Sequence, residues 1–298
     1  MRWSLFALFV TLPGLIIISS CETNDNDYPN SDLLFSVDQL VNYLDNPDVV
    51  VVDMREEGFE DGHIPGAVNI KGVDALHDDN HSIEGFLLPS EKFAEKVGDK
   101  GISNDTKVII YDEGNSLYAA RLFYALDVYG HDNKHILNGG LAAWKEANLD
   151  LSTEPDDIAS AEFQVADRSD QTMCDISYIQ ERMNDDDFVI FDVRSEEEYT
   201  GEDQRTEFAG HMPGAVHLEW SNAIYEDEDV PYFRSTKDIE KMLSDKGITP
   251  DKEVVPHCHT NVRGSHAFFT LRLMGYESVR AYEGSWTEYG ETEGVPVQ

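Results

Sequence analysis

The chain has 298 residues, with 22 basic and 59 acidic side chains and a formal net charge of −37. That length suits two domains, and the acidity excludes nucleic acid and anionic lipid surfaces as partners of the folded body. Three cysteines, Cys21, Cys174 and Cys258, are too few for a disulfide framework, and no Cys/His spacing points to a zinc site.

The chain opens as a targeting segment. Arg2 precedes an apolar stretch, Leu5 to Ile18, that is broken by Thr11, Pro13 and Gly14. Such a stretch is too short and interrupted for a spanning helix but fits a secretory signal. It ends Ile18-Ser19-Ser20-Cys21, the form of a bacterial lipobox, so residues 1–21 are expected to be a lipoprotein signal with Cys21 lipidated. The mature chain is then exported and anchored by lipid to the cell envelope, on its periplasmic or surface side. The polar residues 22–30 are expected to form a flexible tether.

Two similar halves follow. Val49-Val50-Val51-Val52-Asp53-Met54-Arg55 and Gly62-His63-Ile64-Pro65-Gly66-Ala67-Val68 return as Phe188-Val189-Ile190-Phe191-Asp192-Val193-Arg194 and Gly210-His211-Met212-Pro213-Gly214-Ala215-Val216. Lys107 to Asp112 corresponds to Glu253 to Cys258. A spacing of roughly 140 to 150 residues means a duplicated domain rather than a short repeat. His63 and His211 occur in both copies, which points to structure rather than catalysis.

Within each half, apolar runs of buried-strand type alternate with helical patterns. Ser36-Val37-Asp38-Gln39 reads as a capping box opening a helix to Leu44. Val49–Val52 and Val108–Tyr111 read as strands. Leu117 to Val128 is a helix stopping before Gly130, and Ser235 to Lys246 is a capped amphipathic helix ending at Gly247. The alternation predicts an α/β fold with a mainly parallel sheet flanked by helices. The acidic stretch 150–172 is expected to be the linker between domains 31–149 and 173–298.

The chemistry concentrates at Val254-Val255-Pro256-His257-Cys258-His259-Thr260-Asn261-Val262-Arg263-Gly264. An apolar strand ends at a thiol, and a helix is expected from Ser265 to Met274. Such a loop can turn successive N–H groups toward an anion, aided by the positive end of the helix dipole, and the same field favours a thiolate. Asn261 is expected to accept a positive φ.

This ordered set, repeated twice, resembles the tandem two-domain form of the rhodanese (thiosulfate/3-mercaptopyruvate sulfurtransferase) family. The resemblance covers roughly Ser31 to Gln298. It implies two rhodanese-like α/β domains, the first inactive because Asp112 stands where the second carries Cys258. It implies that Cys258 takes a sulfane sulfur from a small anionic donor as a persulfide and passes it to cyanide or a thiol. Arg263 and Arg194 are candidate donor-binding cations, and His259, Thr260, Asn261 and Val262 are candidate contacts. Asp192 and His257 are expected to be structural, and Cys174 an inert packed thiol. No cofactor or metal is required.

The loop Cys258-His259-Thr260-Asn261-Val262-Arg263 matches neither of the family's best-known loops, Cys-Arg-Lys-Gly-Val-Thr for thiosulfate and Cys-Gly-Ser-Gly-Val-Thr for mercaptopyruvate. The terminal arginine favours thiosulfate, with 3-mercaptopyruvate as the alternative. A His-Cys loop ending in arginine also resembles the tyrosine phosphatases. Theirs has five residues between cysteine and arginine, against four here, so the cradle is smaller than a phosphate requires. A persulfide carrier or sensor without turnover is a third reading.

Overall fold

The computed structural model describes residues 27–154 and 158–298. In the first half, β1 (Leu34–Phe35), α1 (Val37–Val41), β2 (Val49–Asp53), β3 (Ala67–Asn69), α2 (Ser90–Gly98), β4 (Lys107–Tyr111), α3 (Leu117–Val128), β5 (Lys134–Leu137) and α4 (Gly140–Glu146) follow in order. After α5 (Ser169–Thr172) the second half repeats them. These are β6 (Met173–Cys174), α6 (Ile176–Arg182), β7 (Phe188–Asp192), α7 (Glu196–Thr200), β8 (Val216–His217), α8 (Thr236–Asp245), β9 (Glu253–His257), α9 (Val262–Leu273), β10 (Ala281–Tyr282) and α10 (Ser285–Tyr289).

The first sheet runs β1-β5-β4-β2-β3, all parallel. The second runs β8-β7-β9 and β10-β6, joined by a parallel bridge between Val254 and Val279, so it repeats the same order. Register fixes the equivalences. Asp53 pairs with Tyr111 and Asp192 with His257, which places Asp112 and Cys258 at matching strand ends.

The apolar runs are buried on both faces, as parallel strands require. Along β2 and β4, Val50, Val52, Val108 and Ile110 face one cluster, while Val51, Ile109 and Tyr111 face the other. In the second half Val189, Phe191 and Val254 face the first of these clusters too. The two domains therefore do not keep wholly separate cores: the inner face of each sheet contributes to one continuous core, centred on α3 against α9. Both helices are buried on nearly every side, polar positions such as Arg121, Ser265 and His266 included.

Several expected boundaries move. The Ser36 capping box is present, but α1 stops at Val41 rather than Leu44. The expected tether 22–30 is docked at its end. Tyr28 is buried and donates its hydroxyl to the Arg234 carbonyl (2.7 Å), and Asn30 bonds the carbonyls of Arg272 and Leu273 at the end of α9. The expected linker 150–172 is not loose where it is described. It runs over the first domain, with Ala161 on Gly98 and Ala166 on Tyr129, and ends in α5. Residues 1–21, with the signal and Cys21, lie outside the described residues.

Candidate active site

Cys258 follows β9 directly and is only 1% exposed. Its carbonyl accepts the Trp286 N–H (2.9 Å), and the His259 carbonyl accepts both the N–H (3.0 Å) and hydroxyl (2.7 Å) of Thr287. Tying these carbonyls to α10 leaves the loop's N–H groups facing the other way. Among the described residues, no acceptor is bonded to the N–H groups of His259, Thr260, Asn261, Val262, Arg263 or Gly264. The helix starts earlier than expected, at Val262 rather than Ser265, so Arg263 belongs to its first turn. Asn261 makes this possible by adopting φ +58°, ψ 12° immediately before the helix. Gly264 is the room that Asn261 needs, because a Cβ there would collide with Asn261 Oδ1.

The first domain shows what this cradle holds. Asp112 turns its carboxylate back into the equivalent loop. Oδ1 accepts the N–H groups of Gly114 and Ser116 (3.0 Å each), and Oδ2 those of Tyr118 (2.9 Å) and Ala119 (3.2 Å). Ser116 has φ 61°, ψ 12°, the counterpart of Asn261. The inert loop is thus an anion nest filled by its own side chain. The corresponding amides near Cys258, those of Asn261, Arg263 and Gly264, are available to an anionic sulfur.

Of the candidate cations, Arg263 lies beside Cys258 and Arg194 pairs with Asp192 at the strand end. Arg263 forms a two-point pair with Glu198 (2.5 and 2.9 Å) and keeps 19% of its side chain exposed. Burial would lower its pKa, but Glu198 and the neighbouring Cys258 hold it above its ordinary value. Burial would also raise the pKa of Glu198, and Arg263 more than offsets that, so its carboxylate stays charged below the usual range. Arg205 sits beside the same carboxylate at 3.5 Å.

Arg194 is 1% exposed and is held through Nε and Nη2. It pairs with Asp192 (2.6 Å), donates to the Gly210 carbonyl (2.8 Å) and lies 4.2 Å from the Trp286 ring. Arg55 in the first half likewise pairs with Asp53 (2.7 Å) and donates to Gly62 (2.8 Å), and it also reaches Glu113 (3.5 Å). A cation that recurs where no thiol exists is a bracket between strand end and loop. Arg194 therefore braces the strand end through Asp192, and its Nη1 has no bonded partner among the described residues.

The remaining candidates divide. His259 and Thr260 are partly exposed at the loop. Burial lowers the pKa of His259, with Glu198 opposing, so its ring is neutral at pH 7. Thr260 faces the first domain, where Gly85 (φ +79°) comes so close that a Cβ would stand 2.9 Å from Thr260 Cβ. Asn261 is fully buried and its Nδ2 donates to Glu283 (2.6 Å), so its side chain shapes the loop while its backbone N–H stays open. Val262 is half-buried. His257 is buried with a pKa lowered chiefly by burial, and its Nε2 lies 3.6 Å from Asp192. His63 and His211 bond the carbonyls of Phe59 (2.8 Å) and Tyr199 (2.9 Å). Cys174 lines an interdomain cavity of about 850 Å³ that touches Glu283 and Gly284 but not Cys258. Burial and then Glu253 push its thiol pKa up, away from reactivity.

Sequence reasoning missed Glu198, Arg205, Arg121, Glu283 and the role of Ser285. Ser285 accepts a positive φ of 50° while its hydroxyl bonds the Tyr282 carbonyl (2.9 Å) and meets the Cys258 N–H (3.4 Å). Gly140 holds that conformation in the other half, at φ 49°. Glu198 closes a capping box with Ser195 at the start of α7, and nothing in that local pattern marks it as the partner of Arg263.

Comparison with known proteins agrees with this geometry. The rhodanese-like domain pattern matches residues 36–147 and 175–292. The chain belongs to the rhodanese family. A sulfur carrier protein of Thermus thermophilus is 32% identical over 91% of this chain and 98% of its own length. A proposed thiosulfate sulfurtransferase of Haloferax volcanii is 29% identical over 92% and 99%. Among solved structures, the 3-mercaptopyruvate sulfotransferase SseA of Escherichia coli superposes with a TM-score of 0.74 at 25% identity, over 85% of this chain and 98% of that one. The anaerobic ergothioneine biosynthesis enzyme of Chlorobium limicola gives 0.75 at 25% identity over 84% of this chain, which spans only 64% of that longer protein. Rhodanese-type sulfur transfer is the chemistry that family and site together support.

Proposed function

We propose that the protein moves a sulfane sulfur from thiosulfate to cyanide or a thiol through a persulfide on Cys258. The observation that carries this reading is the open amide cradle beside Cys258, set against its counterpart filled by Asp112. The Cys258 thiolate attacks the outer sulfur of thiosulfate. The S–S bond of the donor breaks with its electron pair on the departing sulfite, leaving Cys258–S–S⁻. The new anion lies toward the N–H groups of Asn261, Arg263 and Gly264, which stabilise it without reorganising. Cyanide then attacks the terminal sulfur, thiocyanate leaves, and the thiolate returns. Arg263 supplies the fixed charge for the donor's sulfonate, with Arg205 beside it. The pairing of Arg263 with Glu198 leaves this charge partly screened, so the amides carry most of the anion stabilisation.

Intact-mass measurement tests the reading. Wild-type protein mixed with thiosulfate should gain about one sulfur atom, lose it on addition of cyanide, and show neither change as Cys258→Ser. A persulfide formed from 3-mercaptopyruvate but not thiosulfate would keep the mechanism and reassign the donor. No adduct from either would overturn it. A second reading, a persulfide carrier for a protein partner, draws on the Thermus relative. It predicts a stable persulfide with slow turnover on small acceptors.

We also propose that the chain is exported and held at the bacterial cell envelope by lipid on Cys21, from the lipobox pattern in residues 1–21. Membrane fractionation of wild type and Cys21→Ser tests this. Equal distribution of the two would remove the anchor from the account.

A further inference from the structure

The two domains meet through matched parts. α3 lies on α9, with Phe123 against Phe269 (4.9 Å) and Tyr124 against Phe268 (5.2 Å). Each domain also sends a strap over the other's strand-end loop. In the first, closed by the bridge of His77 with Leu87, Gly85 presses on Thr260. In the second, closed by the bridge of Ile224 with Phe233, Pro231 presses on Gly114. Each strap is fastened to the residue after the fifth strand of the opposite domain. Leu87 N–H donates to Glu283 (3.0 Å), and Phe233 N–H donates to Asn138 Oδ1 (3.0 Å).

The match is broken in charge. The fifth residue of α3 is Arg121 and the fifth of α9 is His266. Arg121, fully buried, donates to both oxygens of Glu283 (2.7 and 3.2 Å), to the Gly85 carbonyl of the strap (2.7 Å) and to Ser265 Oγ (3.3 Å). Glu283, 1% exposed, also accepts the Asn261 side chain (2.6 Å). The opposite half has neutral His266 and Asn138 in these places. So the only half with a thiol is the one whose loop is fastened by an ion pair across the domain interface.

We propose that Arg121, carried by the inert domain, is a positioning residue for sulfur transfer at Cys258. It acts through Glu283, which locks Asn261 in its left-handed conformation, and through Gly85, which seats the strap on Thr260. A carboxylate can accept Asn261, Leu87 and the guanidinium together, which a neutral amide oxygen could not. That carboxylate stands beside a loop built to hold an anion, so its charge has to be cancelled. Arg121 does both tasks with one planar fork. In keeping with this, burial works against the charge of Arg121, but Glu283 first, then Tyr124 and Cys258, raise its pKa. The inference rests on the sulfurtransferase reading only for the reaction it names.

The test gives the reactive half the neutral pair of the other half: Arg121→His with Glu283→Asn. No charge is left buried without a partner. The expected result is a folded protein whose single-turnover persulfide formation from thiosulfate is about 100-fold slower, with kcat reduced and KM little changed. Alkylation of Cys258 by iodoacetamide should also shift its pH midpoint upward. A folded double variant with the wild-type rate and an unmoved alkylation profile would overturn the proposal. Should that variant not fold, Arg121→Lys decides, since it keeps the charge but cannot span Gly85 and both oxygens of Glu283. It is expected to lower kcat about tenfold, and an unchanged kcat would overturn the role. Alkylation needs no sulfur donor. A wild-type protein that accepts sulfur from no donor would sink the sulfurtransferase reading, and the alkylation comparison would still decide the role of Arg121.

Discussion

At the end of β4 the chain turns through a carboxylate, and at the end of β9 it turns through a thiol. Both loops then pass through a left-handed residue, Ser116 or Asn261, into a twelve-residue buried helix. The first loop is one residue longer and satisfies its amides with Asp112. The second leaves its amides open, places Arg263 where the first has Tyr118, and ties Asn261 to Glu283. The duplicated frame therefore builds an anion nest twice, and only local residues decide whether it is filled from within or kept for a substrate. The aspartate–arginine brackets Asp53–Arg55 and Asp192–Arg194 recur in both halves, but only Arg55 also reaches a loop carboxylate, Glu113 (3.5 Å).

The largest expected effect tests those brackets. Arg194→Met and Arg55→Met each strand a buried carboxylate and should each lower stability by about 3–5 kcal/mol in denaturant titration. Similar losses at both sites mark Arg194 as structural. A normal stability with a raised KM at Arg194 alone would return it to the substrate. Next, Arg263→Met should reduce kcat/KM for thiosulfate by about 100-fold, near 2.7 kcal/mol, since it removes the site's fixed cation and leaves Glu198 with Arg205 alone. Steady-state kinetics check this, and a change under about threefold would remove Arg263 from the mechanism.

Asp112→Asn probes the filled nest. An amide nitrogen would face N–H donors, so stability should fall by about 2 kcal/mol while sulfur transfer stays near wild type. A large loss of activity in the folded variant would mean that the inert loop does more than hold itself together.

The smallest effect concerns pH. Burial lowers the pKa of His266 to about 3, whereas the unfolded side chain titrates near its ordinary value of 6.5. Between those values the unfolded state binds the extra proton, so stability falls as pH drops below 6.5. The contribution is about 1.4 kcal/mol per pH unit. His266 stacks on Phe233 at 5.2 Å, so His266→Phe should keep the packing and flatten the pH dependence. Denaturant titrations at pH 7 and pH 5 would show it. An unchanged slope would assign the acid sensitivity elsewhere, for instance to His135, whose pKa burial lowers to about 4.

The sequence by itself determined the duplication, the parallel α/β frame and the place of Cys258 at a strand end. These follow from local pattern: apolar runs of strand length, turn residues at helix ends, and a cysteine at a strand end before an arginine-bearing loop. It also pointed to the left-handed Asn261, which stands where the family's best-known loops have a glycine. Three things were decided only in three dimensions. Arg194 and Arg263 look alike as cations near a strand end, and only packing shows one folded back on Asp192 and the other turned toward Cys258. The Asp112 carboxylate reads as a missing nucleophile, and only the loop's curvature shows it as an internal anion. Arg121 and Glu283, 162 positions apart, carry no joint signal along the chain. Their pairing depends on how one domain packs on the other, and long-range packing is not encoded in any local spacing.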